Sequence, residues 1–515
     1  MVELTVRRAL ELAAQRFADR KALRCGNAAW TYSELDARAN CIANALLAAG
    51  ARQGDRVAVV LPNCMDYVAI ALACAKAALV MVTLNYRFTA AEYALQLQDC
   101  GARVLVYGEE YATPVLAASE SLTTLTRICR GSPAAGDLGN LEALAKAQEG
   151  KPLDCVVHES DVFYLGYTSG TTGRPKGAMV TQRNRALAYH YWALTFGIGP
   201  DDVALHCGPF HHTAPFTFTL TQLYRGGQVV ILEQFDAAQA LHVMEQHRVS
   251  WAFMVPFMLD RLLEAGPDAF NQARVPALRM LISGGTALPT VTKEGLLRAM
   301  PGLGLHEFYG ATEAGVITNL APDEQSRKRR CVGRPVLDME IDVRLDGKSL
   351  PRGEIGEIWL RGPTMFSGYY QAPEKNAEVF DGDWCTIGDL GRLDDEGYLY
   401  IVDRSKDVIK SGAVNIFPVE IEEVLLAQAG VRDVAVIGIP DARWGEAVHA
   451  VVVPREGVLP AVDTLASACR AMLAGYKVPK SFEFRNELPR NANGKVLKRT
   501  LREQCAERLA QEQPL

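Results

Sequence analysis

The segment Tyr167-Thr168-Ser169-Gly170-Thr171-Thr172-Gly173-Arg174-Pro175-Lys176-Gly177 has the residue types needed to hold a phosphate. Glycines let the backbone turn tightly and come close to an anion. The hydroxyls of Thr168, Ser169, Thr171 and Thr172 can donate hydrogen bonds, and Lys176 adds positive charge. The apolar run Val162-Phe163-Tyr164-Leu165 precedes it, so a strand feeds the loop. A Walker loop is excluded because Pro175 stands where G-x-x-x-x-G-K-[ST] needs its second glycine, counted from Gly170. A flexible surface linker could share the composition but would not need the strand.

Two isolated carboxylates could complete such a site. Glu313, in Tyr309-Gly310-Ala311-Thr312-Glu313, sits in a turn after a probable strand. There it could hold Mg²⁺, a hard cation that takes oxygen ligands and substrate phosphates, or it could merely cap a helix. Asp389, in Ile387-Gly388-Asp389, could accept hydrogen bonds from neighbouring hydroxyls, or be an ordinary turn aspartate. Lys495 follows Asn493-Gly494 and, by itself, reads as an exposed lysine. His206, Cys207, His211 and His212 raise the question of zinc, but no other segment offers matching ligand spacing. Phe210, His212, Thr213, Phe216, Met254, Phe257 and the turn Gly284-Gly285-Thr286 suggest a largely apolar pocket for an organic acid.

Positioning these groups takes more than one core. The chain has 515 residues, 49% hydrophobic and 22% charged, as expected of a globular protein with at least two domains. Its formal charge of -6, without a basic block, argues against a nucleic-acid partner. Twelve cysteines without a C-x-x-C pair suggest reduced thiols. The N-terminal MVELTVRRALELAAQRFADR reads as an amphipathic helix and not an export signal. The stretch Tyr67 to Val82, interrupted by Lys76, is too short to span a bilayer and reads as a buried helix followed by a strand. A cytoplasmic protein is expected, with a homodimer as the one assembly considered.

Strand-like runs at Arg56–Leu61, Arg103–Tyr107, Gln228–Leu232 and Met280–Ser283 alternate with helix-length segments such as Ala237–His247. This pattern predicts parallel α/β sheets. Around Gly353–Gly362 the strands become short and glycine-punctuated, which predicts antiparallel structure, a small β-barrel. After Asp403-Arg404-Ser405-Lys406 a new alternation begins, with a helix near Pro418–Gln428 and strands near Val434–Ile439 and Val448–Val453. The expected architecture is a large domain, 1–405, made of two α/β subdomains and the barrel, then a small mobile α/β domain, 406–515.

The phosphate loop, together with Tyr309–Glu313, Ile387–Asp389, Asp403–Lys406 and Pro489–Lys495, resembles the adenylate-forming superfamily of acyl-CoA synthetases, luciferases and adenylation domains, over nearly the whole chain. The resemblance implies an AMP-forming acid–thiol ligase using ATP, Mg²⁺ and coenzyme A. It implies that Thr168, Ser169, Gly170, Thr171, Thr172, Gly173, Lys176, Gly284, Gly285, Thr286, Tyr309, Gly310 and Thr312 bind the nucleotide. Asp389 and Arg404 would hold ribose or phosphate, and Glu313 with Thr168 would hold the metal. His212 would line the acyl pocket. Ile387 departs from the family's usual threonine but leaves the carboxylate of Asp389 available.

By the same resemblance Lys495 swings into the cleft and stabilises the charge that builds at phosphorus. The acid attacks the α-phosphorus, pyrophosphate leaves, and no protein nucleophile is required. Lys406 is the hinge about which the small domain rotates for thioester formation, bringing Lys410-Ser411-Gly412-Ala413 to the pantetheine channel. Ala413 and Val414 replace a glycine and a glutamate common in relatives. Arg87, Gly412, Trp444, Tyr476 and Lys480 are the candidates for CoA.

Rival readings share parts of this chemistry. An amino-acid-activating domain would want a buried carboxylate near Pro209–Phe216, where there is none. A stand-alone enzyme loading a carrier protein and a luciferase-like oxygenase share the first half-reaction. A non-catalytic nucleotide-binding regulator would have no use for Lys495. The acid is expected to be fatty or aromatic.

Overall fold

The computed structural model describes residues 3–168, 176–328, 330–404, 406–412, 414–441, 443–490 and 496–512, with backbone only at Thr168 and 509–512. Among the described residues, two large sheets carry the first part of the chain. In one, seven strands run in the order Gly139–Asn140, Thr126–Arg130, Val104–Gly108, Arg56–Val60, Val80–Thr83, Val162–Thr168, Lys176–Thr181. All its pairings are parallel except the last, where Val162–Thr168 and Lys176–Thr181 form an antiparallel hairpin. In the other, nine strands place the parallel set Gln228–Ile231, Val203–His206, Trp251–Met254, Met280–Ser283 and Gly304–Ala311 at the centre. Antiparallel strands close both edges. Residues 57–60, Trp251–Met254 and Met280–Ser283 in the central strands are buried throughout, as parallel strands covered on both faces should be.

The expected buried helix is Met65–Lys76, with every residue buried except Asp66, and the strand Val80–Thr83 follows it. Lys76, the charge that interrupts this stretch, is itself buried and pairs with Asp36 at 2.8 Å and Glu11 at 3.3 Å. Glu11 belongs to the helix Val6–Arg16, which is the amphipathic N-terminal helix read from the sequence. Among the described residues no helix is long and apolar enough to cross a membrane.

Where a small barrel was expected, residues 340–404 form a six-stranded antiparallel half-barrel sheet, with Glu340–Leu345, Gly356–Arg361, Trp384–Leu393 and Leu399–Arg404 as its main strands. Beyond Lys406 comes a five-stranded sheet built around the long pair Val431–Asp441 and Gly445–Pro454, flanked by the helices Pro418–Leu426, Val462–Met472 and Lys498–Glu512. It has its own apolar core, including Ile416, Ile421, Leu425, Val436, Val448 and Leu465.

Candidate active site

The hairpin Val162–Thr168/Lys176–Thr181 pairs out to Thr168 opposite Lys176, so the expected phosphate loop joins two antiparallel strands, unlike a Walker loop, which leads into a helix. Ser169, Gly170, Thr171, Thr172 and Gly173 lie outside the described residues, as do Lys495, Ala413 and the side chain of Thr168. The hairpin presses directly against the second motif. A Cβ on Gly166 would fall 2.6 Å from Cγ2 of Thr312 and 2.5 Å from the Tyr164 ring, so only glycine fits there.

The free edge of Lys176–Thr181 receives residues 367–370. Ser367 N–H donates to the Met179 carbonyl at 2.9 Å, Met179 N–H to Gly368 at 2.9 Å and Tyr370 N–H to Gly177 at 2.8 Å. This added rung sets Tyr369 between the loop's lysine and the candidate metal ligand. The Lys176 ammonium lies 5.6 Å from the centre of the Tyr369 ring, and the Tyr369 hydroxyl donates to Oε1 of Glu313 at 2.8 Å. Glu313 is only 7% exposed. Burial pushes its carboxyl above the ordinary range, opposed by the Tyr369 hydrogen bond and the charge of Arg404. A buried carboxylate whose side-chain hydrogen bond comes from a hydroxyl fits a divalent cation such as Mg²⁺, whose charge would keep it ionised. Burial, followed by the nearby Lys375, holds Lys176 below the usual lysine range.

Strand pairing brings together the remaining predicted nucleotide residues. Asp389 and Arg404 are direct cross-strand partners, and the Arg404 guanidinium meets Oδ1 of Asp389 at 3.1 Å. Oδ2 of Asp389 accepts from the Tyr309 hydroxyl at 2.6 Å, so Tyr309 touches the carboxylate expected to hold ribose. Burial, then the charge of Asp389, keeps the Tyr309 phenol protonated. Lys406 lies within electrostatic reach of both Arg404 and Asp389, and burial lowers its ammonium below the ordinary value. Thr312 shares a 3.1 Å hydroxyl contact with Thr213, and Thr213 a 3.2 Å contact with Tyr164.

Gly310 packs against backbone: an added Cβ would meet the Gly315 carbonyl at 2.3 Å. Gly284 has no room because a Cβ would strike the Phe308 ring at 2.5 Å, and Gly285 has φ +89°, which favours glycine. With Thr286 they form the turn at the end of strand Met280–Ser283.

His212 occupies the N-cap position of the helix Thr213–Arg225, its ring 4.1 Å from that of His211. His211 stands edge-on to Tyr86, and burial drives its imidazole well below the usual pKa, so it is neutral. Two members of the expected apolar pocket sit elsewhere. Met254 is fully buried in the cluster on the other face of its sheet, with Leu281 and Leu305, because neighbouring strand residues point to opposite faces. Phe257 is 58% exposed beneath Arg261. Phe210 is core, stacked on His206 and Tyr67, and Phe216 packs against Tyr67 and Tyr164.

The CoA candidates divide between the domains. Gly412 and Trp444 touch: the Gly412 N–H donates to the Trp444 carbonyl at 2.6 Å, and a Gly412 Cβ would meet the Trp444 ring at 3.4 Å. Trp444 and Tyr476 are about half exposed and Lys480 is exposed. Arg87 is exposed in the body, over the Tyr86 ring.

The profile of the AMP-binding enzyme family matches residues 10–370, and that of its C-terminal domain matches residues 420–495. The chain belongs to the AMP-binding enzyme family. It is 40% identical to a feruloyl-CoA synthase of an Amycolatopsis species over 487 residues, covering 93% of this chain and 95% of that protein. It is 34% identical over 478 residues to the long-chain-fatty-acid–CoA ligase FadD13 of Mycobacterium tuberculosis, covering 92% and 93%. The structure of the o-succinylbenzoate CoA synthetase MenE from Bacillus subtilis, in complex with ATP and magnesium ion, superposes with a TM-score of 0.86 at 30% identity, over 96% of this chain and 98% of that one. The chain is an AMP-forming acid–thiol ligase of the acyl-CoA synthetase kind, as the motifs predicted.

Residues that sequence reasoning missed are Tyr369, Tyr164, Thr213 as a partner of Thr312, and Gly166. Tyr164 and Thr213 lie in segments the sequence singled out, but their contacts, like those of Tyr369 and Gly166, involve partners far away in the chain.

Proposed function

We propose that the chain activates an aromatic carboxylic acid of the phenylpropenoate type with ATP and Mg²⁺ and transfers it to coenzyme A. In the first step a carboxylate oxygen bonds to the α-phosphorus, the α–β phosphoanhydride bond breaks and pyrophosphate leaves. In the second the CoA sulfur, losing its proton, bonds to the acyl carbon and AMP leaves. The convergence of Glu313, Tyr369 and Lys176, with the group Asp389, Arg404 and Tyr309 within electrostatic reach of Glu313, carries this reading. Between them, triphosphate charge and ribose hydroxyls would each find a partner of the right chemistry.

In this proposal Lys176 and the hydroxyls of Thr168–Thr172 hold phosphate, and Glu313 holds the metal. When bound, Mg²⁺ would supply neutralisation of the triphosphate charge. Asp389, aimed by Tyr309 and Arg404, orients the ribose, and Lys495 neutralises charge at the α-phosphorus. Lys406 is the hinge between domains 1–405 and 406–515. The aromatic class rests on the likeness to the feruloyl-CoA synthase and on the rings of Tyr86, Tyr164, His211 and Phe216 near the start of helix Thr213–Arg225. The likeness to FadD13 keeps a fatty acid as the second candidate. Cytoplasmic residence fits the sequence, and a homodimer is the first assembly to test, by sedimentation.

Pyrophosphate release measured across a panel of cinnamates, benzoates and fatty acids, each with and without CoA, is the deciding experiment. CoA-dependent thioester with a cinnamate as the best substrate is expected. Release with fatty acids alone would overturn the aromatic reading, and release with none would overturn the function.

A further inference from the structure

Arg185 lies on the helix Gln182–Thr195 and is only 2% exposed. Its described interactions contain no carboxylate: Nη1 donates to the Thr217 hydroxyl, and the guanidinium stands 5.4 Å from the centre of the Tyr164 ring. Its Nε is buried with no hydrogen-bond partner, and so is the hydroxyl of Tyr189, one turn along the same helix. Burying a guanidinium without a counter-charge costs several kcal/mol, and an unsatisfied buried donor adds to the cost. Burial also depresses its ionisation, relieved only by the phenols of Tyr189 and Tyr164.

The same guanidinium is connected to the nucleotide motif. Thr217, which receives its hydrogen bond, donates to the Thr213 carbonyl at 2.7 Å. Thr213 in turn contacts Thr312 at 3.1 Å and Tyr164 at 3.2 Å. The unspent donors are thus linked through Thr217 and Thr213 to Thr312, a residue of the nucleotide motif. Donors left unpaired so near that motif suit a substrate that carries an oxygen acceptor at the end remote from its carboxylate.

We propose that Arg185, with the hydroxyl of Tyr189, is a specificity-determining residue that hydrogen-bonds a ring oxygen at the far end of the aromatic acid. This rests on the aromatic reading above. A site built to pair a substrate oxygen rejects the analogue that lacks it, because the protein's donors then stay unpaired. The same logic separates a specificity role from a structural one, since removing an unpaired buried charge should not weaken the fold.

The test compares the native enzyme with Arg185→Met, using unsubstituted cinnamate, 4-hydroxycinnamate and 4-hydroxy-3-methoxycinnamate, by pyrophosphate release, with thermal unfolding in parallel. The native enzyme is expected to favour the oxygenated acids in kcat/KM by about tenfold or more. Arg185→Met is expected to bring the three acids within about twofold, with an unchanged KM for ATP and an equal or higher Tm. Tyr189→Phe should lower the preference in the same direction. A variant that keeps the native preference, or one that loses Tm and activity uniformly on all three acids, overturns the proposal. Equal use of the three acids by the native enzyme also overturns it while leaving the aromatic reading intact; no release with any cinnamate overturns the aromatic reading itself.

Discussion

The body and the small domain hold their charges by different means. In the body, Glu313 and Asp389 are 7% and 5% exposed, and the positions of their partners are set by strand pairing: Asp389 faces Arg404 across a ladder, and Tyr369 is fixed by a backbone rung. The small domain instead meets the body through side chains that keep contact with water. Glu423, on helix Pro418–Leu426, accepts from the Thr290 hydroxyl at 3.3 Å and pairs with Arg330, whose side chain is 46% exposed. Pairs of this kind are each worth about 1 kcal/mol or less. Asp403 is a deeply buried charge at the junction, within electrostatic reach of Lys498, which is itself paired with Glu422 at 2.7 Å. In this pose Lys410 and Gly412 are exposed to solvent and not inserted into the body. The difference teaches that the candidate nucleotide site is ordered by burial and strand pairing, while the contacts of Glu423 with the body are individually weak, as the proposed exchange of poses requires.

Removing the tail's lysine should break this division most severely. Lys495→Ala is expected to lower adenylate formation by about 10²–10³-fold while leaving thioester synthesis from supplied acyl-adenylate within a few-fold, as measured by labelled pyrophosphate exchange and a separate transfer assay. An equal fall in both steps would mean that the tail does not act in one pose alone. In the candidate nucleotide site, Glu313→Gln should cost about 10²-fold in exchange and weaken the response to Mg²⁺ titration.

Tyr369→Phe should cost about tenfold, the worth of one hydrogen bond to a charged group. It also tests the sign of a pKa effect. Burial raises the Glu313 carboxyl and the Tyr369 hydrogen bond lowers it, so losing that bond raises it further. On the proposed metal role the ionised form is the active one, so the acid limb of the pH–rate profile should move to higher pH; an unmoved limb would remove Glu313 from the role of titrating ligand.

Asp403 sharpens the comparison through stability. Burial raises its carboxyl from 3.8 to about 6. The folded state thus binds this proton more tightly than the unfolded one, and the group's contribution is fully present at low pH and lost as pH rises through about 6. Asp403→Asn should therefore change little at pH 4 and stabilise at neutral pH by on the order of 1–3 kcal/mol, read by denaturant melts. The smallest effect is expected from Glu423→Gln: a shift of no more than about fivefold in the ratio of the two half-reactions, vanishing at high salt. A larger, salt-insensitive change would mean that the dock is stronger than its exposure implies.

Much of the frame was legible because local signals were strong. Lys76 betrayed a buried helix too short for a membrane, and the glycine-punctuated strands around Gly353–Gly362 gave the antiparallel sheet, though as a half-barrel and not the small barrel expected. The long strands Val431–Asp441 and Gly445–Pro454 extend the shorter ones expected from their apolar centres, since polar flanks can still share a ladder. Met254 was misplaced because a central parallel strand is apolar on both faces, and periodicity then cannot say which face meets a pocket. Tyr369 and Arg185 carry no spacing signal at all; only their surroundings distinguish them from any other tyrosine or arginine.

By itself the sequence determined the chemistry: glycines, hydroxyls, carboxylates and a late lysine in an order that suits phosphate and acyl transfer, because residue type and local spacing decide what a segment can bind. Tertiary structure alone decided which of those groups are buried, which face each other and which are left unpaired. Burial and partnership depend on chain segments far apart in sequence, and these set the charge state of Glu313, the aim of Asp389 and the unspent donors of Arg185.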